Sequence, residues 1–259
     1  MNRSRRAQRG AILNLVKLLT DGGDIDAAAA LLDEGEALAP GFEHRRSELF
    51  FREARYFVHF LRGEIDAARS VGDQLIAFAA LEDLRAERIS ALHLVVDLYL
   101  LIGELGRAGR LIDDAELLLA PLASGHEGSV YAAQQAWKKA WLALADGRPG
   151  DALAALPAAA GLERMEDRFA CAWIGGAAAR ALGDTTLARR HLDAVAIDMQ
   201  VAVDQSAPWL EQRLRLAAAS GGVDEPATRR ARELLASGRV PRLYAAGLGE
   251  ALAGAVLDP

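Results

Sequence analysis

The chain has 259 residues, 52% of them hydrophobic and 25% charged, enough apolar surface for a continuous core and outside the composition of a disordered chain. A single cysteine, Cys171, excludes an intrachain disulfide, and no run reaches the roughly eighteen uncharged apolar residues of a membrane span. The formal net charge is −6, and because Arg3, Arg5, Arg6 and Arg9 fall within the first ten residues without an acid, the remainder holds 26 basic against 36 acidic residues, which disfavours extended nucleic-acid contact.

Residues 1–9 form a basic arm, expected to be solvated, with its arginines able to touch a nucleic-acid backbone. The apolar run from Ala11 to Leu19 is broken by Asn14 and Lys17 and stops at Asp21-Gly22-Gly23-Asp24, so no signal peptide is expected and the chain is assigned to the cytoplasm. From residue 10 to 238 a pattern recurs in which Gly is followed five residues later by Ala. It occurs at Gly23, Gly63, Gly103, Gly147, Gly183 and Gly222, in steps of 40, 40, 44, 36 and 39 residues. Glycine accepts the left-handed conformation that closes a helix, and an acid after it suits the positive end of the next helix. The alanine leaves room for two backbones to approach. Each unit is therefore a helical hairpin that must stack on its neighbours to bury both faces.

Between the turns, Phe50, Phe51, Ala54, Phe57, Val58 and Leu61 form one helical stripe, and Leu94, Val95, Leu98, Leu101 and Ile102 repeat it a unit later. Pro40-Gly41, Pro121 to Gly128 and Pro241 punctuate the array. Residues 239–259 read as a capping helix and tail, whose apolar face of Leu243, Tyr244, Leu248 and Leu252 either closes the last repeat or pairs two chains, which leaves the oligomeric state open.

The Gly, acid, apolar residue and later Ala of these turns resemble the tetratricopeptide repeat over essentially the whole chain. Tyr99, Gly176 and Pro40 agree with further family positions, while Arg55 and Lys139 replace residues usually apolar and Arg148-Pro149 replaces the acidic and apolar pair of the fourth turn. The spacing near 40 is similar to longer-helix variants found in bacterial regulators and adaptors. The resemblance implies an all-α fold, a right-handed superhelix of about six hairpins whose first helices line a concave groove. Groove-facing places of the family lie 13, 10, 6, 3 and 2 residues before each turn glycine. They select Lys17, Phe50, Glu53, Phe57, Phe60, Ser90, His93, Asp97, Gln134, Trp137, Trp141, Trp173, Arg180 and Trp209, which include all four tryptophans. An aromatic-lined groove suits a peptide or protein partner, with Lys17, His93, Asp97 and Arg180 orienting it. Burial of the indoles between helices is the alternative, and both remain open on the sequence.

No catalytic constellation emerges. His93 and Asp97 share a helix face at i and i+4, a spacing open to a metal or to a hydrogen-bonded pair, but two ligands make no site. Cys171, among Ala170, Ala172 and Trp173, reads as a small core residue, and the glycine pairs at 22, 175 and 221 read as helix ends or close packing. The chain is expected to be a non-catalytic scaffold or adaptor with no cofactor and no metal. A ligand-sensing regulator whose arm contacts nucleic acid and a metal-dependent hydrolase built on His93 and Asp97 are the alternatives.

Overall fold

The computed structural model describes residues 2–37, 45–81, 84–122, 126–157, 162–195, 203–238, 240 and 242–257. Among them stand thirteen α-helices and no strand. These are α1 (Asn2–Asp21), α2 (Ile25–Ala37), α3 (Arg45–Arg62), α4 (Ile65–Leu81), α5 (Arg85–Leu101), α6 (Leu105–Leu119), α7 (His126–Ala145), α8 (Pro149–Ala155), α9 (Met165–Ala181), α10 (Thr185–Leu192), α11 (Val203–Ala219), α12 (Glu225–Ala236) and α13 (Arg242–Leu257). None of the helices is long and apolar enough to cross a membrane. Because α1 begins at Asn2, the basic residues expected as a separate arm are instead its opening turns. Pro40-Gly41 and Pro241 lie outside the described residues.

The turn between α5 and α6 shows how the repeating glycine works. Gly103 has φ +77°, and its N–H returns to Leu100 O at 3.3 Å while Glu104 N–H returns to Tyr99 O at 2.8 Å. This pair of bonds satisfies carbonyls left open at the end of α5, and the left-handed φ it needs favours a residue without Cβ. Equivalent bonds from Asp24, Glu64, Arg148, Asp184 and Gly222 close α1, α3, α7, α9 and α11 at 2.8 to 3.0 Å. In the first five turns the residue that closes one helix immediately precedes the next, so no residue is spare. Asp24 and Asp184 also cap, accepting from Ala27 N at 3.3 Å and Leu187 N at 2.8 Å. The sixth turn departs from the expected register. Gly221, not Gly222, holds the positive φ, and α12 starts only after Asp224, whose carboxylate accepts from Ala227 N at 3.1 Å.

Behind the turns, Ala28, Ala68, Ala108, Ala152, Ala188 and Ala227 are each fully buried at 0% exposure. Close approach recurs mid-helix, where a Cβ on Gly35 would stand 2.6 Å from Phe51 Cε1 and one on Gly176 2.7 Å from Leu192 Cγ. Every helix packs on the next in sequence, and α1·α3, α5·α7, α7·α9, α9·α11 and α11·α13 also touch. The two charged departures from the family pattern are answered by acids on the preceding helix: Arg55 pairs with Asp33 at 2.6 Å and Glu36 at 2.8 Å, and Lys139 with Glu116 at 2.6 Å. Helix α8 is short because Pro157 pushes the residue before it, Leu156, into an extended conformation with ψ 132°.

The last helix does more than cover α11 and α12. It also reaches α3, setting the Tyr244 ring edge-on to Phe60 with centroids 6.5 Å apart. The chain therefore returns to α3, and α1, α3, α5, α7, the start of α9 and α13 border a common space.

Candidate functional site

That space consists of two adjoining cavities of about 430 and 710 Å³ that share Glu53, Phe57, Leu94, Arg164 and Glu166. The smaller lies between α3, α5, α7, the start of α9 and α13, and the larger opens toward α1, where Lys17 and Phe50 border it. Each wall helix offers side chains spaced three or four residues apart, as Glu53, Phe57 and Phe60 are on α3 or Ser90, His93 and Asp97 on α5. Phe57 and Phe60 stack with centroids 6.0 Å apart.

A ladder of polar contacts joins one wall helix to the next. Ser90 Oγ donates to Glu53 Oε1 at 3.2 Å, Tyr56 Oη to Leu94 O at 2.9 Å, Lys138 Nζ to Asp97 Oδ1 at 2.5 Å, and Trp137 Nε1 to Asp167 Oδ1 at 2.9 Å. Burial raises the pKa of Glu53, Asp97 and Asp167 and lowers that of Lys138; the Lys138–Asp97 attraction opposes both of its partners' shifts. The ammonium of Lys138 also stands 3.9 Å from the Trp137 ring centroid.

His93 is 3% exposed and sits between two amides, with Nε2 2.8 Å from Gln135 Oε1 and Nδ1 3.2 Å from the Gln134 amide. Gln135 donates its Nε2 to Ile112 O at 2.7 Å, which turns its oxygen toward the ring and makes His93 Nε2–H a donor. Burial and the Lys138 charge lower the His93 pKa to about 4, so the ring is neutral above that pH. His93 and Asp97, which the i, i+4 spacing allowed as a pair, therefore have separate partners on α7. Among the described residues no three His, Cys, Asp or Glu side chains converge as metal ligands would. Cys171 is buried and its thiol pKa is pushed up to about 12, mainly by desolvation.

Of the residues expected in the groove, Lys17, Phe50, Glu53, Phe57, Phe60, Ser90, His93, Asp97, Gln134 and Trp137 border the cavities. Trp141, Trp173, Arg180 and Trp209 line neither of these two cavities, and burial of Trp209 corrects the expectation for that residue. Trp209 is 1% exposed, donates Nε1–H to Leu192 O at 3.0 Å and meets Phe169 at 5.6 Å. Trp141 and Trp173 are half-buried against each other, edge to face at 5.0 Å. Arg180 is directed at Gln212, 3.4 Å away, and its pKa is lowered by burial and by Arg215. Gly175 and Gly176 of α9 admit His191 and Leu192 of α10, which brings the two helices close, and the Trp209 indole seals against Phe169 of α9 and the Leu192 carbonyl.

Sequence reasoning missed Lys138, Asp167, Arg164 and Glu166. Lys138 falls nine residues before Gly147, outside the family's groove places, yet it crosses to α5. One signal existed, a Lys-Lys pair set between Trp137 and Trp141 in an otherwise apolar run. Arg164 is the N-cap residue of α9, and Glu166 and Asp167 lie in its first turn, ahead of every groove place counted back from Gly183. No protein-family model matches this chain, and no curated protein matches it in sequence.

Proposed function

We propose that the chain is a non-catalytic binding protein of tetratricopeptide-like build, a right-handed superhelix of about six hairpins that holds a peptide segment of a protein partner against its first helices. The supporting observation is the larger cavity, about 710 Å³, in which α3 sets Phe50, Glu53 and Phe57 beside Lys17 of α1 and Arg164 just ahead of α9. Phe50 is 43% exposed although it is a large apolar ring, and an apolar anchor framed by charges is the usual form of a peptide groove. A mostly preformed site also reduces the ordering cost of binding.

Selection of a random dodecapeptide display library on the immobilised full chain tests the proposal. Peptides should enrich, and Phe50→Ser should weaken the selected peptides about tenfold without moving the thermal midpoint, since the exposed ring contributes little to the core. Failure of any peptide to enrich, or binding indifferent to Phe50→Ser, would reject it.

A further inference from the structure

We infer that the junction of the two cavities, where Glu53 shares a wall with Phe57 and Phe60, binds a cationic side chain, the guanidinium of an arginine carried by the bound peptide. The inference rests on the peptide-binding function proposed above and names the chemistry of its ligand.

Charge around the smaller cavity does not balance. Four carboxylates, Glu53, Asp97, Glu166 and Asp167, face it against two cations, Lys138 and Arg164. Asp97 holds Lys138 at 2.5 Å, Glu166 lies 3.7 Å from Arg164, and Asp167 accepts the Trp137 indole N–H at 2.9 Å. Glu53 receives only the neutral Ser90 hydroxyl, and no described Lys or Arg pairs with it. His93 supplies no charge above about pH 4. A carboxylate withdrawn from solvent without a cation is costly to the protein, and a cationic ligand would recover that cost.

The surroundings select among cations. Phe57 stands one turn from Glu53 on α3, Phe60 stacks on Phe57, and Tyr244 closes the wall edge-on to Phe60. Ring faces beside a carboxylate attract a cation, and the planar, weakly hydrated guanidinium stacks on them better than a compact ammonium does. The cavity of about 430 Å³ has room for such a group with its methylene stem. An anionic occupant would meet the excess of carboxylates, and the chain's net charge of −6 also draws basic rather than acidic peptides toward it.

The test uses capped single residues, so it does not depend on whether any peptide binds. Nα-acetyl-arginine methylamide, and its norleucine and glutamate counterparts, are titrated into the full chain while the Trp137 indole N–H resonance is followed. The arginine probe should give a saturable shift that the other two do not. Glu53→Gln should weaken it about tenfold and Phe57→Leu several-fold, with thermal midpoints recorded for both. Arg164→Ala, which removes a resident cation without touching the α3 wall, should tighten it and gives a second arm should Glu53→Gln fold poorly. An equal shift from norleucine, unchanged affinity in Glu53→Gln, or unchanged affinity in Arg164→Ala overturns the inference. Saturable arginine binding in a protein that selects no peptide supports the cation site and rejects the peptide function, while peptide enrichment without arginine binding does the reverse.

Discussion

Burial, and secondarily the Lys138 ammonium, hold the His93 ring at a pKa of about 4, against 6.5 for a solvated imidazole. The unfolded chain therefore takes up a proton as pH falls below about 6.5 that the folded chain refuses until about 4, and stability must decline across that window and level off beneath it. The full effect of such a shift is about 3 kcal/mol. Glu53, Asp97 and Asp167 act in the opposite sense, because carboxylates with raised pKa values gain relative stability as they protonate in the folded state. The informative quantity is thus a difference. Glutamine in place of His93 keeps the hydrogen-bonding character, and His93→Gln should lose less stability than wild type between pH 6.5 and 4 when chemical denaturation is measured at each pH. Parallel curves would mean that the ring is solvated in solution. At this scale the sequence was only partly legible. Counting back from glycines found His93, Asp97 and Trp137, because they lie on the helix face that the repeat period defines. Lys138, Gln135 and Asp167 escaped it, since their roles depend on which helix they cross to, and no local pattern encodes that.

Each turn is a self-contained device, which is why the elements were the most readable part of the chain. Gly103 combines a φ of +77° with open space where a Cβ would stand, so the strain of Gly103→Ala is conformational and not steric. Forcing alanine into the left-handed region costs about 1 to 2 kcal/mol, and the variant should show a lowered thermal midpoint with an unchanged helical circular dichroism spectrum. An equal or higher midpoint would show that the α5–α6 turn does not hold this conformation. The same logic failed in two places for local reasons. Two consecutive glycines, Gly221 and Gly222, offer the left-handed role to either residue, and the fold takes the first. In α9 to α11 the groove places were assigned as though every unit had the same neighbours. There Gly175 and Gly176 admit His191 and Leu192, Trp209 is sealed against Phe169, and Trp141 stands edge to face with Trp173.

At the scale of the whole molecule, the return of α13 to α3 is the property that no repeat pattern announces. Leu248 and Ala251 of α13 are buried at 0% and 4% exposure in a cluster shared with residues of α11 and α12. Tyr244, on the same helix, instead faces the second repeat and becomes part of the cavity wall. Long-range closure of this kind joins units more than a hundred residues apart, so the stability of α3 should depend on α13 even though a simple linear array couples only neighbours. Hydrogen exchange distinguishes the two arrangements. In Tyr244→Ala, amides in the second half of α3 around Phe60 should exchange several-fold faster together with those of α13, while α5 and α6 keep their protection. Faster exchange confined to α11 through α13 would mean that the array is open at its end and that the smaller cavity has no fifth wall. The outcome bears directly on the ligand site, because Tyr244 lines the smaller cavity together with Glu53, Phe57 and Phe60, and a detached α13 would remove that wall.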